Sequence, residues 1–258
     1  MESKTVPRRD IDISTFKEGL CTAIREGLGP GELTDRLVGA TNISVDAVAG
    51  TLSGRPDDAK FSQFQLDATI EMIMAQYKGD HSTKCQIMTA GVGSGKTIAF
   101  TLALLISTVE NHLDDDGEER CHLLLYPRTA LAKDQYGTLS KMVSNLGIPT
   151  LTGAKGVHLE HGSNYEKKGT NSLRGVADVY GSNSPPPAII ITTLETLNRR
   201  MQRPEFARKM NGHLSRVVVD EVHLVEGMTG SNIVQVLSRL QGICKERQLL
   251  WTAASATI

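Results

Sequence analysis

Residues 90–97 read AGVGSGKT, after the apolar run QIMTA (Gln86–Ala90) and before IAFTLALL, which starts at Ile98. Strand, glycine-rich turn and helix in that order decide how the rest is read. Such a loop aims consecutive backbone N–H groups at phosphate oxygens, and the N-terminus of the helix adds partial positive charge. Glycine permits the backbone geometry. Ala90, Gly91, Val92, Gly93, Ser94, Gly95, Lys96 and Thr97 are therefore the candidate phosphate ligands. Lys96 would reach the β and γ phosphates, and the Thr97 hydroxyl would complete the coordination of Mg²⁺. A coincidental glycine-rich turn is the competing reading of this stretch taken alone.

A second stretch removes most of that ambiguity. Residues 216–223 read RVVVDEVH, an apolar strand that delivers two adjacent carboxylates, Asp220 and Glu221, at its carboxyl end. One can hold the water shell of a metal and the other can polarise an attacking water. Three consecutive valines bury the strand that carries them, which argues against a solvated acidic pair.

From Lys84 onward, short apolar runs alternate with helical segments, the signature of a parallel sheet covered on both faces. Strands are expected at Cys85–Thr89, His122–Tyr126, Ala188–Thr192, Arg216–Val219 and Leu249–Ala253. Helices are expected near Thr97–Asn111, Ala130–Leu146, Glu195–Met201 and Ser231–Cys244. The fold class is thus α/β, doubly wound, with ligands at the carboxyl ends of the strands. Phe16, Leu20, Ile24 and Leu28 recur every fourth residue, Gly29-Pro30-Gly31 breaks the pattern, and Leu33, Leu37 and Val38 start a second short helix. Residues 1–60 are read as a small helical extension and 61–258 as the main domain, opened by an amphipathic helix over Phe61–Tyr77. Thr152–Pro187, rich in Gly, Ser, Asn and Lys, is expected to be a long loop.

The 258 residues include 28 Lys+Arg and 29 Asp+Glu, for a net charge of -1, so any nucleic-acid contact must be local rather than a basic coat. The first ten residues have no apolar core, and the longest apolar stretch, Ile98–Ile106, is about half of what a bilayer requires. Cys21, Cys85, Cys121 and Cys244 form no CxxC pair, which fits reduced thiols. A cytoplasmic protein is expected. His158 and His161 have a spacing that could hold a metal, but no third ligand is near in sequence.

Several of these stretches resemble the motifs of superfamily 2 helicases. AGVGSGKT is similar to motif I, DEVH (Asp220–His223) to the DExH-box motif II, and Ser255-Ala256-Thr257 to motif III, in the family's order. YPRTALAKDQ (Tyr126–Gln135) resembles motif Ia in the form found in large bacterial and fungal DNA helicases of repair and phage-defence systems, with Arg128 where Thr is usual. ITTLETLNRRM (Ile191–Met201) resembles the next nucleic-acid-contacting motif, and FSQFQLDAT (Phe61–Thr69) the adenine-recognising glutamine motif.

The resemblance covers about Phe61 to Ile258 and implies the first of two RecA-like lobes of an ATP-dependent P-loop enzyme. By position it implies that Gln65 reads adenine, that Gly93 to Thr97 hold the phosphates and Mg²⁺, that Asp220 binds Mg²⁺ through water and that Glu221 orients the hydrolytic water. His223, Ser255 and Thr257 would couple the nucleotide to the other lobe. Arg128, Thr129, Thr192 and Thr193 would contact the nucleic-acid backbone, with DNA favoured over RNA. The chain stops at Ser-Ala-Thr-Ile, where the family continues, so weak nucleotide hydrolysis is expected without the second lobe, which supplies arginine fingers. A non-catalytic nucleotide-gated binding or scaffold module, and a small P-loop kinase or GTPase-like switch, are the alternatives. Intact Lys96, Thr97, Asp220 and Glu221 weigh against the first, and the DEVH and SAT stretches against the second.

Overall fold

Every residue of β4 (Cys121–Tyr126) is buried, and successive side chains leave on opposite faces, so the strand must be covered on both. Leu124 and Tyr126 enter one apolar core, and Cys121, Leu123 and Leu125 enter the other. The computed structural model describes residues 10–78, 85–91, 93–114, 117, 119–151, 155–160, 179–180, 185–224, 228–245 and 248–256.

Around β4 lie β3 (Cys85–Thr89), β5 (Val157–Leu159), β6 (Ile189–Thr193), β7 (Leu214–Val219) and β8 (Leu250–Ser255), in the order β3-β8-β7-β4-β6-β5. All five pairings are parallel, with Leu124 opposite Ile191 on one side and Val218 on the other. Their carboxyl ends therefore share one rim. Because β8 lies between β3 and β7, the strand that ends in Ser255 separates the glycine-rich loop from the acidic pair.

One face is covered by α3 (Gln63–Tyr77), α4 (Lys96–Leu113) and α5 (Thr129–Asn145); the other by α6 (Leu194–Arg200), α7 (Pro204–His213) and α8 (Met228–Ile243). At the amino end, α1 (Ile13–Leu28) and α2 (Glu32–Ser53) share the core of the first face. Asp12 caps α1 by accepting from the Thr15 N–H at 2.8 Å. A two-stranded antiparallel ribbon, β1 (Asp10–Asp12) with β2 (Lys60–Ser62), ties the start of α1 to the start of α3. Among the described residues, no helix is long and apolar enough to cross a membrane.

Three differences from the sequence-based expectation have physical causes. The second helix is 22 residues long rather than short. Beyond Leu37 its buried face is made of Ala40, Thr41, Ser44, Val45, Val48 and Ala49, small or β-branched residues that give little periodic signal yet let α4 and α5 approach closely. The long segment 152–187 contains β5, an edge strand of three residues, too short to register as a pattern. Helix α7, which starts with Pro204 at its first turn, was not expected at all.

Candidate nucleotide and nucleic-acid site

The glycine-rich loop leaves β3 at Thr89 and enters α4 at Lys96. Gly93 and Gly95 have φ of 76° and 83°, a backbone region that disfavours any residue with a Cβ, so these two glycines are required by conformation. A Cβ at Gly91 or Gly93 would meet nothing within 4 Å, so space is open beside the loop at these two positions. The Lys96 ammonium donates to the carbonyls of Ala90 at 2.5 Å and Gly91 at 3.2 Å and is almost wholly buried. Ser94 Oγ is buried and has no hydrogen-bond partner among the described residues. An open cradle, a buried ammonium and an unpaired hydroxyl fit an anionic oxygen-rich ligand, and a nucleotide triphosphate meets that description.

Asp220 follows β7, and its N–H donates to the Leu125 carbonyl at 3.0 Å. Burial pushes its carboxyl up to about 6, reinforced by the Glu221 charge and opposed by the Glu221 N–H, Lys96 and His223. The charge of Lys96, 124 positions away in sequence, thus bears on the Asp220 carboxyl. Glu221 has a φ of 53°, the one positive value at a non-glycine among the described residues. Such strain persists only where surrounding contacts over-determine it, and it gathers at functional sites. Here the Glu221 N–H donates to Asp220 Oδ1 at 2.9 Å, its carbonyl accepts from Leu224 at 2.9 Å, and its Oε2 lies 3.3 Å from His223 Nδ1.

The same ring nitrogen of His223 faces Ser255 Oγ at 3.3 Å and accepts from the Ala256 N–H at 3.4 Å. The Ser255 carbonyl in turn accepts from the Ala90 N–H at 3.3 Å. An unbroken chain of contacts therefore runs from the first residue of the glycine-rich loop through the end of β8 to His223 and Glu221. Thr97 stands at the second position of α4, on the loop side. Val92 and Thr257 lie outside the described residues.

Gln65 reaches the loop in a way the sequence did not foretell. Its Oε1 accepts from the Ser62 N–H at 2.8 Å and its backbone N–H donates to Ser62 Oγ at 3.3 Å, a reciprocal cap on α3. Its Nε2 donates to the Gly95 carbonyl at 3.3 Å. A Cβ on Gly95 would come within 2.1 Å of that nitrogen, so only glycine lets the amide sit there. The side chain is buried, and these two bonds use one of its amide N–H groups and one lone pair of its oxygen.

Along the rim beyond β7, Arg128 and Thr129 are exposed at the start of α5. Thr193 caps α6, accepting from the Thr196 N–H at 3.4 Å. Thr192 departs from expectation. It is 1% exposed and its hydroxyl donates to the Glu160 carbonyl at 2.9 Å, so it braces the rim from within and its side chain does not face a strand of nucleic acid. The alternation of β6 causes this, since adjacent threonines point to opposite sides. Glu160 itself, missed in the sequence, is buried against Arg200 Nε at 2.6 Å, His158 at 3.1 Å and the Tyr180 hydroxyl at 3.1 Å. Burial alone would raise its carboxyl, but His158 and Arg200 hold it below the ordinary value. His158 is thus engaged with a carboxylate, and His161 lies outside the described residues. Among the described residues no cluster of His, Cys, Asp and Glu could hold a metal by itself.

The family model for DEAD/DEAH box helicases matches residues 67–258, three quarters of the chain, starting two residues after Gln65. The chain belongs to this helicase family. As a DEAD/DEAH box helicase domain it is 26% identical over 154 residues to the ATP-dependent helicase YprA of Bacillus subtilis, a match over 59% of this chain and 18% of that protein. It is 28% identical over 184 residues to the ATP-dependent helicase HRQ1 of Saccharomyces cerevisiae, over 69% of this chain and 15% of the relative. In fold it is similar to the DUF1998 helicase MrfA in a crystal structure with DNA and AMPPNP, with a TM-score of 0.59 and 21% identity over 83% of this chain and 26% of that one. The helicase domain thus spans less than a fifth of the length of these two curated relatives.

Proposed function

We propose that the chain is the ATP-binding first motor lobe of an ATP-dependent helicase or translocase of the DExH type that acts on DNA. One observation carries this reading: the contact path from Ala90 through Ser255 and His223 to Glu221, beside which the charge of Lys96 bears on Asp220. Such a path lets the loop that grips phosphate, the acid that activates water and the third strand end respond to one another.

Backbone N–H groups of Gly93 to Thr97, with the Lys96 ammonium and Ser94 hydroxyl, would hold the phosphates. Thr97 and Asp220 would hold Mg²⁺, which when bound spreads the charge of the phosphate oxygens. Glu221 would orient the attacking water, with His223 beside its carboxylate. Gln65 would fix the loop and offer its remaining amide capacity to adenine. Ser255 and Thr257 would pass the state of the site to a second RecA-like lobe, in the same longer chain or a partner. On the rim, Arg128, Thr129 and the backbone at Thr193 would grip phosphates of the strand, a backbone contact that is indifferent to sequence. DNA is favoured by the form of Tyr126–Gln135 and by the DNA carried by the MrfA neighbour. Repair or phage defence in the cytoplasm is the setting this suggests.

The test is DNA-stimulated ATP hydrolysis by this chain with the downstream lobe supplied. Lys96→Ala and Glu221→Gln should each bring the rate to background, whereas His223→Ala should keep nucleotide binding and lose most of the stimulation by DNA. No DNA-stimulated hydrolysis by the unmodified chain would leave a nucleotide-gated module in place of the motor, and a rate unchanged in Glu221→Gln would overturn the role given to that acid.

A further inference from the structure

Strand β3 ends one side of the six-stranded sheet. It pairs with β8 alone, so among the described residues its outer backbone N–H and C=O groups face no strand. Such an edge is a template for one more strand. Ile87, in the middle of β3, is 73% exposed, the most of any large apolar side chain among the described residues. A groove lies on each face of the sheet beside this edge. On the side of α3, Phe64, Ala68 and Met72 with Gln86 and Met88 enclose about 200 Å³. On the side of α8, Cys85, Trp251, Ala253, Ile233 and Leu237 enclose about 350 Å³ in a mostly apolar lining. Met88 joins the core under α3, so by alternation Cys85 and Ile87 face the other way.

Two grooves astride an unpaired backbone match an extended chain. Its main chain would pair with β3, and its alternate side chains would enter one groove and then the other. A helix or a small apolar ligand would fill one groove and leave the backbone edge bare. The crossovers already present fix where such a strand comes from. From β3 to β4 and from β4 to β5 the chain steps away from the β3 edge, with α4 and α5 in the first core; from β6 to β7 and from β7 to β8 it steps back, with α6, α7 and α8 in the second. All follow one hand, as parallel crossovers do in about 98% of cases. One more step in the same direction, from β8 past β3, must therefore carry its helix over the second face, where Cys85 and Ile87 are exposed. In the two curated relatives the matched stretch is less than a fifth of the chain, so this domain is accompanied there by much further polypeptide.

We propose that the free edge of β3 takes a seventh strand, parallel to β3 and apolar at alternate positions, supplied by polypeptide downstream of β8 through a helix that packs on Ile87 and Trp251. It places the strand that carries the glycine-rich loop inside the sheet, with a ladder of hydrogen bonds on both sides. The inference stands on the sheet and its edge and does not depend on the nucleic-acid path.

The test compares this chain with the same chain extended by the residues encoded directly after Ile258, about 40 of them, enough for a helix and a strand. Cys85 is the native probe, since Cys21, Cys121 and Cys244 are buried. Its alkylation by N-ethylmaleimide, followed by mass spectrometry, should be at least about tenfold slower in the extended chain. Ile87→Lys, a change at an exposed position, should leave the urea midpoint of the unextended chain unmoved, lower that of the extended chain and restore rapid alkylation of Cys85. Equal alkylation in the two chains overturns the proposal, as does a stop codon directly after Ile258. An Ile87→Lys effect of the same size in both chains also overturns it. Protection of Cys85 that grows with the concentration of the unextended chain, together with a dimer in sedimentation, would make the occupant a second copy and overturn the downstream strand.

Discussion

Two buried ionisable side chains set opposing pH dependences on stability. His122 on β4 is fully buried beside Arg216, and neither ring nitrogen has a partner among the described residues. Burial, aided by the charges of Arg216 and Arg120, lowers it to about 3 from 6.5. Between these values the unfolded chain binds a proton that the native state refuses, so stability falls as pH drops through that window, by roughly 5 kcal/mol in full. Asp220 has the reverse sign. Its native value of about 6, against 3.8, means that the folded state holds the extra proton, and stability falls as pH rises from about 4 to 6. The two slopes largely cancel over that range. His122→Leu should therefore expose the Asp220 slope, giving a protein that is more stable at pH 4.5 than at pH 7 in urea titrations. Asp220→Asn should raise the melting temperature above pH 6, by an amount worth up to about 2–3 kcal/mol, and should abolish hydrolysis; no gain at pH 8 would mean that the carboxylate is not paying for its burial.

At the scale of elements, the site is a junction of three strand ends and one helix start, and its geometry depends on backbone that only glycine provides. Gly95→Ala should cost about 1–2 kcal/mol from the left-handed backbone alone, and its Cβ would drive Gln65 off both the loop and its cap on α3. Chemical denaturation of Gly95→Ala beside Gln65→Ala checks this, because the double variant should lose less than the sum of the two. The parts of this junction legible in the sequence were those that combine a local rule with a pattern: an apolar run before a glycine-rich turn, and three valines before paired acids. What the sequence could not disclose were contacts made between distant segments. Gln65 on Gly95 and Thr192 on Glu160 join residues 30 and 32 positions apart through hydrogen bonds that no periodicity encodes. Alternation in β6 could have told that Thr192 and Thr193 face opposite ways. Helix α2 was under-read because its buried face is built of Ala, Ser and Thr, whose value lies in close approach rather than in apolarity.

Over the whole molecule, the amino-terminal helices and the sheet share one core. Phe16 of α1 stacks on Phe61 with centroids 4.2 Å apart, and Leu20, Ile24, Leu37, Val45 and Val48 are all wholly buried in the cluster that also contains Phe100 of α4 and Leu124 of β4. Helix α2 also supplies Arg36, which donates to the fully buried Glu110 of α4 at 3.3 Å and to Asp114 at 3.0 Å. Arg120 at 2.8 Å and the Tyr77 hydroxyl at 2.8 Å complete the shell of Glu110. Removing residues 1–54 would uncover the outer faces of α3, α4 and α5 and withdraw one of the two cations from a buried carboxylate. Each large apolar side chain returned to water costs about 1.5–3 kcal/mol, so a handful of them matches the whole stability of an ordinary domain, about 5–15 kcal/mol. The shortened chain should therefore lack a cooperative thermal transition and near-ultraviolet circular dichroism. Arg36→Met in the full chain, which keeps the apolar stem and removes only the charge, should still fold but lose stability, since it leaves Glu110 with less compensation for its burial. If the shortened chain instead melted cooperatively and bound an ATP analogue as the full chain does, α1 and α2 would be an appendage on an independent lobe, and the shared core would contribute little to holding the nucleotide site together.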